Sequence, residues 1–199
     1  MFIEKTAFEA RVSNDRKNDL CNITGHYQVS GADADCSAGL LCVRKAQLPC
    51  AGFPNVLNDN AWYMEAATAA VNAGDVIYAC NTYDTQLLAG PHGTAYHVGT
   101  ETLGLGIPAG RDGTFTKIVF EGDRRYRFGV GNANAELGSN KYLTIEDGML
   151  KPVAAAPTAN GALYFKVTGT GNFTEGTSAS FGYIEVEPHV VVSAVAAGG

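Results

Sequence analysis

The chain has 199 residues, of which 46% are hydrophobic and only 17% charged, with a net charge of −6 and an isoelectric point near 5.1. That length supports one good hydrophobic core or two small ones packed together, and the hydrophobic fraction excludes a disordered chain. The acidic balance argues against a nucleic-acid partner, no apolar run is long enough for a membrane-spanning helix, and a charged fraction below the roughly 25% of typical soluble domains suits a surface covered by neighbours.

Met1 to Thr6 lacks the basic and apolar regions of a signal peptide, so the expectation is a protein made and folded in a cytoplasm. In that setting the sequons at Asn22 and Asn172 are chance matches. The 24 glycines, with many Thr, Val and Tyr residues, favour turn-rich β structure over helix bundles. Asp33-Ala34-Asp35 opens like a calcium loop, but Gly39 comes one position late and the twelfth residue is Arg44 rather than a bidentate Glu, which leaves an ordinary turn. An internal echo follows: Ala38-Gly39-Leu40-Leu41 and Ala73-Gly74-Asp75-Val76-Ile77 each place Ala-Gly before an apolar strand. Between them, Ala61 to Ala70 suits either a short helix capped by Asp59 or Asn60 or a strand leading into the Ala73-Gly74 bend, and the strand is favoured because no apolar 3.6-residue stripe continues beyond Met64.

Cys21, Cys36, Cys42, Cys50 and Cys80 match neither zinc spacing nor a CxxC motif, so most are expected to be buried, reduced small hydrophobes. Neither Cys50 nor Cys80 lies in a nucleophile signature. Residues 82–111 read as a long excursion. Within it Gly104 to Gly110 fails as a dinucleotide loop, since Pro108 stands where the helix would begin, and His92 and His97 have no further metal ligands at readable spacing. No metal and no cofactor are expected, and the chain is not read as an enzyme.

The C-terminal half reads as a run of hairpins. Phe115 to Phe120 is expected to turn at Glu121-Gly122-Asp123 into Arg124 to Val130, with Tyr126, Phe128 and Val130 on one face and Arg125 and Arg127 on the other. Tyr142 to Glu146 and Met149 to Val153 flank Asp147-Gly148, a type I′ hairpin signal. Ala162 to Thr168 and Ser180 to Glu187 follow, joined by a Gly- and Thr-rich stretch. The fold class is therefore mainly β: an antiparallel β-sandwich or barrel-like domain built from hairpins, with at most one short helix and an extended C-terminal arm. A single domain over residues 1–189 is expected, with sub-halves 17–81 and 112–189 joined by the 82–111 loop.

Residues 190–199 form an apolar arm. Burying Val190, Val191, Val192 and Val195 contributes about 6 to 12 kcal/mol, whereas ordering ten backbone residues costs about 10 to 20 kcal/mol. The arm is therefore expected to need strand pairing, and Pro188 is read as the point where it departs toward a neighbouring chain. These four valines are the candidate intersubunit contacts, with the N-terminal arm from Met1 to Arg16 as a second one.

The two Ala-Gly units, the Gly-rich hairpins, the stretches Asn58-Asp59-Asn60-Ala61-Trp62 and Gly171-Asn172-Phe173-Thr174-Glu175-Gly176, and the absence of a catalytic constellation together resemble the capsid decoration, or cement, proteins of tailed bacteriophages. The resemblance implies a virion protein on the outer capsid surface, with the major capsid protein as partner and a homo-oligomer, often a trimer, as its working form. It brings no catalytic residues. The competing reading is a carbohydrate- or host-surface-binding β-sandwich module that uses Trp62, Tyr63, Tyr83 and Tyr96 as an exposed aromatic platform.

Overall fold

A computed structural model describes residues 3, 5–11, 22–69, 74–81, 86–89, 95–98, 106–120, 124–175 and 179–192. Among these the chain is mainly β, with no α-helix and a single 3-10 turn at Val130–Asn132. Two larger sheets carry the architecture.

The first is a closed ring. Strands β2 (Asn22–Val29), β5 (Leu41–Cys50), β6 (Phe53–Ala66), β7 (Ile77–Cys80) and β11 (Asp112–Lys117) pair in the order β11-β7-β5-β6-β2, and β11 pairs again with β2 to close a five-stranded barrel. All contacts in it are antiparallel except β2 against β6, which is parallel from Thr24↔Ala61 to Tyr27↔Met64. The short β3 (Ala32–Asp33) returns on β2 through Ser30-Gly31, whose φ values of 53° and 78° suit a type I′ turn. Two short strands, β4 (Cys36–Ser37) and β10 (Gly106–Ile107), pair with each other beside the barrel. The barrel is filled by Tyr27, Leu40, Cys42, Met64, Tyr78, Cys80 and Phe115.

The second sheet has six strands, in the order β1-β12-β16-β15-β13-β14. They are β1 (Phe8–Arg11), β12 (Arg125–Gly129), β13 (Tyr142–Glu146), β14 (Met149–Val153), β15 (Leu163–Glu175) and β16 (Ala179–Val190). Every pairing in this sheet is antiparallel. A separate ribbon pairs β8 (Gln86–Ala89) with β9 (Ala95–Val98).

Strand alternation explains how the barrel and the sheet share a core. On β7, Tyr78 and Cys80 point into the barrel, whereas Ile77 and Ala79 join Leu41, Ile118, Phe8, Tyr126, Phe128, Leu143, Phe165, Ile184 and Val186 in the core between barrel and sheet. This strand is buried on both faces, so all four of its residues are buried. The two echoed segments end as adjacent strands, with Leu41↔Ala79 and Val43↔Ile77 in register. Gly39, at φ 77°, makes the first bend.

Asp147 and Gly148 have φ values of 49° and 76°, so the expected type I′ hairpin is present. This turn is also a docking element. The Leu41 amide donates to the Gly148 carbonyl at 2.8 Å, and the Gly148 amide donates to the Ala67 carbonyl at 2.8 Å, so one edge hairpin of the sheet is bonded to the barrel. A Cβ at Gly148 stands 2.8 Å from Leu40 Cδ1 and 3.0 Å from the Leu41 carbonyl oxygen. Gly148→Ala is accordingly expected to cost about 2 kcal/mol, measured by urea unfolding, from the left-handed backbone and the crowding together.

Three expectations are corrected. Phe115 to Phe120 and Arg124 to Val130 do not form a hairpin: β11 closes the barrel while β12 lies between β1 and β16 in the other sheet. The Gly- and Thr-rich stretch after Thr168 is not simply a connection, because β15 runs to Glu175 and pairs with β16 as far as Glu175↔Ala179. Pro188 does not mark a departure. It stays in β16 opposite Phe165, past the last β12 pair at Tyr126↔Val186, where β16 has a neighbour on one side only and a missing N–H need not leave a ladder bond unmade.

Candidate interaction surface

Beyond the barrel, the β5–β6 hairpin continues as a free ribbon. β7 pairs with β5 only from Leu41 to Val43, and β2 pairs with β6 only from Ala61 to Met64. Among the described residues, β5 beyond Val43 and β6 before Ala61 therefore pair only with each other's strand, Arg44 and Gln47 still against Met64 and Trp62 of the barrel, and past Gln47 the ribbon reaches roughly 15 Å at about 3.3 Å per residue. Its root is braced. The Arg44 guanidinium lies 4.6 Å from the centre of the Trp62 ring, and Lys45 pairs with Glu65 at 3.0 Å.

The far end carries no charge at all between Lys45 and Asp59. Every residue from Ala51 to Asn60 is exposed, including Phe53 at 66%, Val56 at 52% and Leu57 at 56%. An isolated two-stranded hairpin is marginal in water, and both edges of this one offer unpaired backbone groups. Apolar side chains, free strand edges and an absence of charge belong together at a protein–protein contact.

The β15–β16 hairpin forms a second ribbon beyond its β12 and β13 neighbours, but its aromatic side chains are satisfied internally. Phe173 packs on Phe181 at 5.5 Å and on Tyr183 at 5.1 Å between ring centres. Beside them runs an open groove of about 690 Å³, whose lining includes Lys5, Val130, Glu136, Leu137, Asn172 and Tyr183. Among its described lining residues there is no histidine or cysteine to act as base or nucleophile.

The arginine stripe of β12 is the outer face of the sheet. Tyr126 and Phe128 are buried, whereas Arg127 bonds Glu185 at 3.0 Å and Glu9 at 3.3 Å and lies 4.4 Å from the Tyr183 ring centre. Burial alone raises the Glu185 carboxyl, but hydrogen bonds from Arg127 and Thr168 and the charges of Arg127 and Arg125 outweigh it and hold that carboxyl below its ordinary value.

Of the four valines expected to contact a neighbour, Val190 pairs with Leu163 and packs on the shared core. The Val191 amide donates to the Ala162 carbonyl at 2.9 Å and the Val191 carbonyl accepts from the Gly161 amide at 2.8 Å. These two valines extend the chain's own sheet, Val192 is 82% exposed, and Val195 lies outside the described residues. Met1, Phe2, Glu4 and residues 12–16 of the N-terminal arm lie outside them too, while Phe8–Arg11 forms β1 and pairs with β12.

Of the four aromatics of the alternative platform, the side chains of Trp62 and Tyr63 are described, and they face opposite sides of β6. On β6, Met64 points into the barrel, so Trp62 shares that side and packs against the barrel core, whereas Tyr63 faces out against His26 with ring centres 5.7 Å apart. Tyr83 lies outside the described residues, as do the side chain of Tyr96, Cys21, His92 and the His97 side chain. Cys36, Cys42 and Cys80 are buried free thiols and Cys50 is a half-buried one. Burial, with the neighbouring thiols, pushes the Cys36 thiol well up. Among the described residues no group of His, Cys, Asp and Glu side chains has metal-holding geometry, and no helix is long and apolar enough to cross a membrane. No known family, curated protein or solved structure matches this chain.

Proposed function

We propose that the chain is a non-enzymatic virion structural protein that decorates or cements a phage capsid, with the major capsid protein as its partner and a homo-oligomer as its working form. The observation that supports this reading is the projecting β5–β6 ribbon, which ends in an uncharged apolar tip and whose outer strand edges have no partner among the described residues. A structural protein that binds a lattice needs such a projecting element to reach a neighbouring subunit, and strand addition to its edge supplies affinity through main-chain bonds while the apolar tip supplies burial.

The double variant Phe53→Ser with Leu57→Ser tests this. Both side chains are exposed, so the isolated protein is expected to unfold within about 0.5 kcal/mol of wild type. Occupancy on capsids assembled from the major capsid protein, measured by co-sedimentation, is expected to fall at least about tenfold, the equivalent of about 1.4 kcal/mol. Wild-type occupancy by the double variant removes the ribbon from the proposal. Failure of the wild-type chain itself to bind such capsids removes the capsid.

A further inference from the structure

His26 lies on β2 where that strand closes the barrel, opposite Asp112 of β11 in the register. Its Nδ1 is 2.7 Å from Asp112 Oδ1, and its Nε2 is 2.9 Å from Oδ1 of Asp33 on β3. A carboxylate can only accept, so both ring nitrogens must donate, and only the imidazolium carries two N–H groups. A neutral ring leaves one lone pair facing a carboxylate oxygen. Gln28 Nε2 donates to the same Asp33 oxygen at 3.0 Å and fixes it in place.

We propose that His26 is a protonated clasp that ties the β2–β3 hairpin and the start of β11 together at one end of the barrel, and that this end loosens when the ring loses its proton. The charged groups facing the ring are Asp33 from β3 and Asp112 from β11. From β6 the Tyr63 ring meets it edge-on, and Glu65 further along that strand is neutralised by Lys45. A second tie beside the clasp does not depend on its proton: the Ala109 amide donates to Asp35 Oδ1 at 3.0 Å. The opening is therefore local, confined to the β2–β3 turn and the first residues of β11.

Burial by itself disfavours the charged ring, but hydrogen bonds to Asp33 and Asp112, with their negative charges, outweigh it and raise His26 above its ordinary value of 6.5. A histidine raised on folding contributes stability that is complete below pH 6.5 and is lost as pH rises through the folded value. The clasp thus holds in full below pH 6.5 and opens as pH rises through the folded value.

The test is a titration of the ring by nitrogen NMR on the whole chain. Both ring nitrogens are expected to be protonated at pH 6.5, with a midpoint above that value in wild type and a lower one in both Asp112→Asn and Asp33→Asn. Hydrogen exchange supplies the second readout. Relative to His26→Gln at each pH, wild-type amides at residues 29–33 and 111–113 are expected to be protected at pH 6 and to lose that advantage by pH 9. A wild-type midpoint at or below 6.5, or an exchange difference that does not change with pH, overturns the clasp.

Discussion

Phe165→Ala is expected to lower stability by about 3 to 5 kcal/mol, and to lower it for the barrel as well as for the sheet in which Phe165 lies. Phe165 is completely buried and packs on Phe120 and Phe128, with ring centres 5.3 and 6.1 Å away. The same core holds Leu41, Ile77, Ala79 and Ile118 from the barrel's outer face. A cavity at Phe165 therefore weakens the surface on which the barrel rests. The chain has a single tryptophan, Trp62, and it stands in β6 on the barrel. Urea unfolding of Phe165→Ala followed by Trp62 fluorescence is expected to shift to lower urea together with the far-UV circular dichroism, with coincident midpoints. A tryptophan transition that stays at the wild-type midpoint while the dichroism moves shows two units that fold separately.

That coupling explains what could be read in advance and what could not. Local chemistry was enough for Asp147-Gly148, where the dipeptide dictates the turn, and for the arginine stripe of β12, where alternation alone separates Arg127 from Tyr126 and Phe128. It favoured a strand at Ala61 to Ala66 without excluding a helix, and the Ala-Gly echo marked two strands that turn out to be neighbours. Partner choice is a different kind of information. Phe115 to Lys117 and Arg125 to Gly129 are close in sequence and share the same alternation, yet one fills the barrel and the other the shared core, because the competing partners Asn22 to His26 and Phe8 to Arg11 come from far along the chain. The same holds for the surfaces. Phe53, Val56 and Leu57 carried no local sign of exposure; the register places them where, among the described residues, β5 and β6 pair only with each other. His26 carried no sequence signal because one of its two partners, Asp112, is 86 residues away. The valines at the end of β16 were the opposite case: their chemistry suggested a partner chain, and for Val190 and Val191 the partner is the chain's own residues 161–163.

Besides the shared apolar core and the Gly148 turn, buried side chains bond the sheet to the barrel, and replacing Asn132 among them gives the other large expected effect. Asn132 is buried in the 3-10 turn after β12; its Oδ1 accepts from the Ala7 amide at 3.0 Å and its Nδ2 donates to the Ala38 carbonyl at 2.8 Å. Ala7 leads into β1 of the sheet and Ala38 into β5 of the barrel, so both amide atoms are used and each serves a different unit. Asn132→Ala removes both bonds and leaves a backbone N–H and a backbone C=O buried without these partners, at about 1 to 3 kcal/mol for each group; a total of about 2 to 6 kcal/mol is expected. Asn132→Asp separates the bonding from the volume. The carboxylate can still accept from Ala7, but its other oxygen faces the Ala38 carbonyl with no proton to offer, so the variant is expected to be less stable than Asn132→Ala at pH 7. Burial raises the folded value of such a carboxyl above its unfolded value near 4, so the unfolded state releases its proton first and the deficit grows as pH rises through this window. Relative to wild type at each pH, urea midpoints of Asn132→Asp are expected to recover as pH falls from 7 to 4, where a protonated acid can donate to Ala38 as the amide does. A deficit that is constant across this range shows that Asn132 acts through shape alone, and leaves the Gly148 turn and the Tyr126 hydroxyl, which accepts from the Val119 amide at 3.0 Å, as polar ties between barrel and sheet.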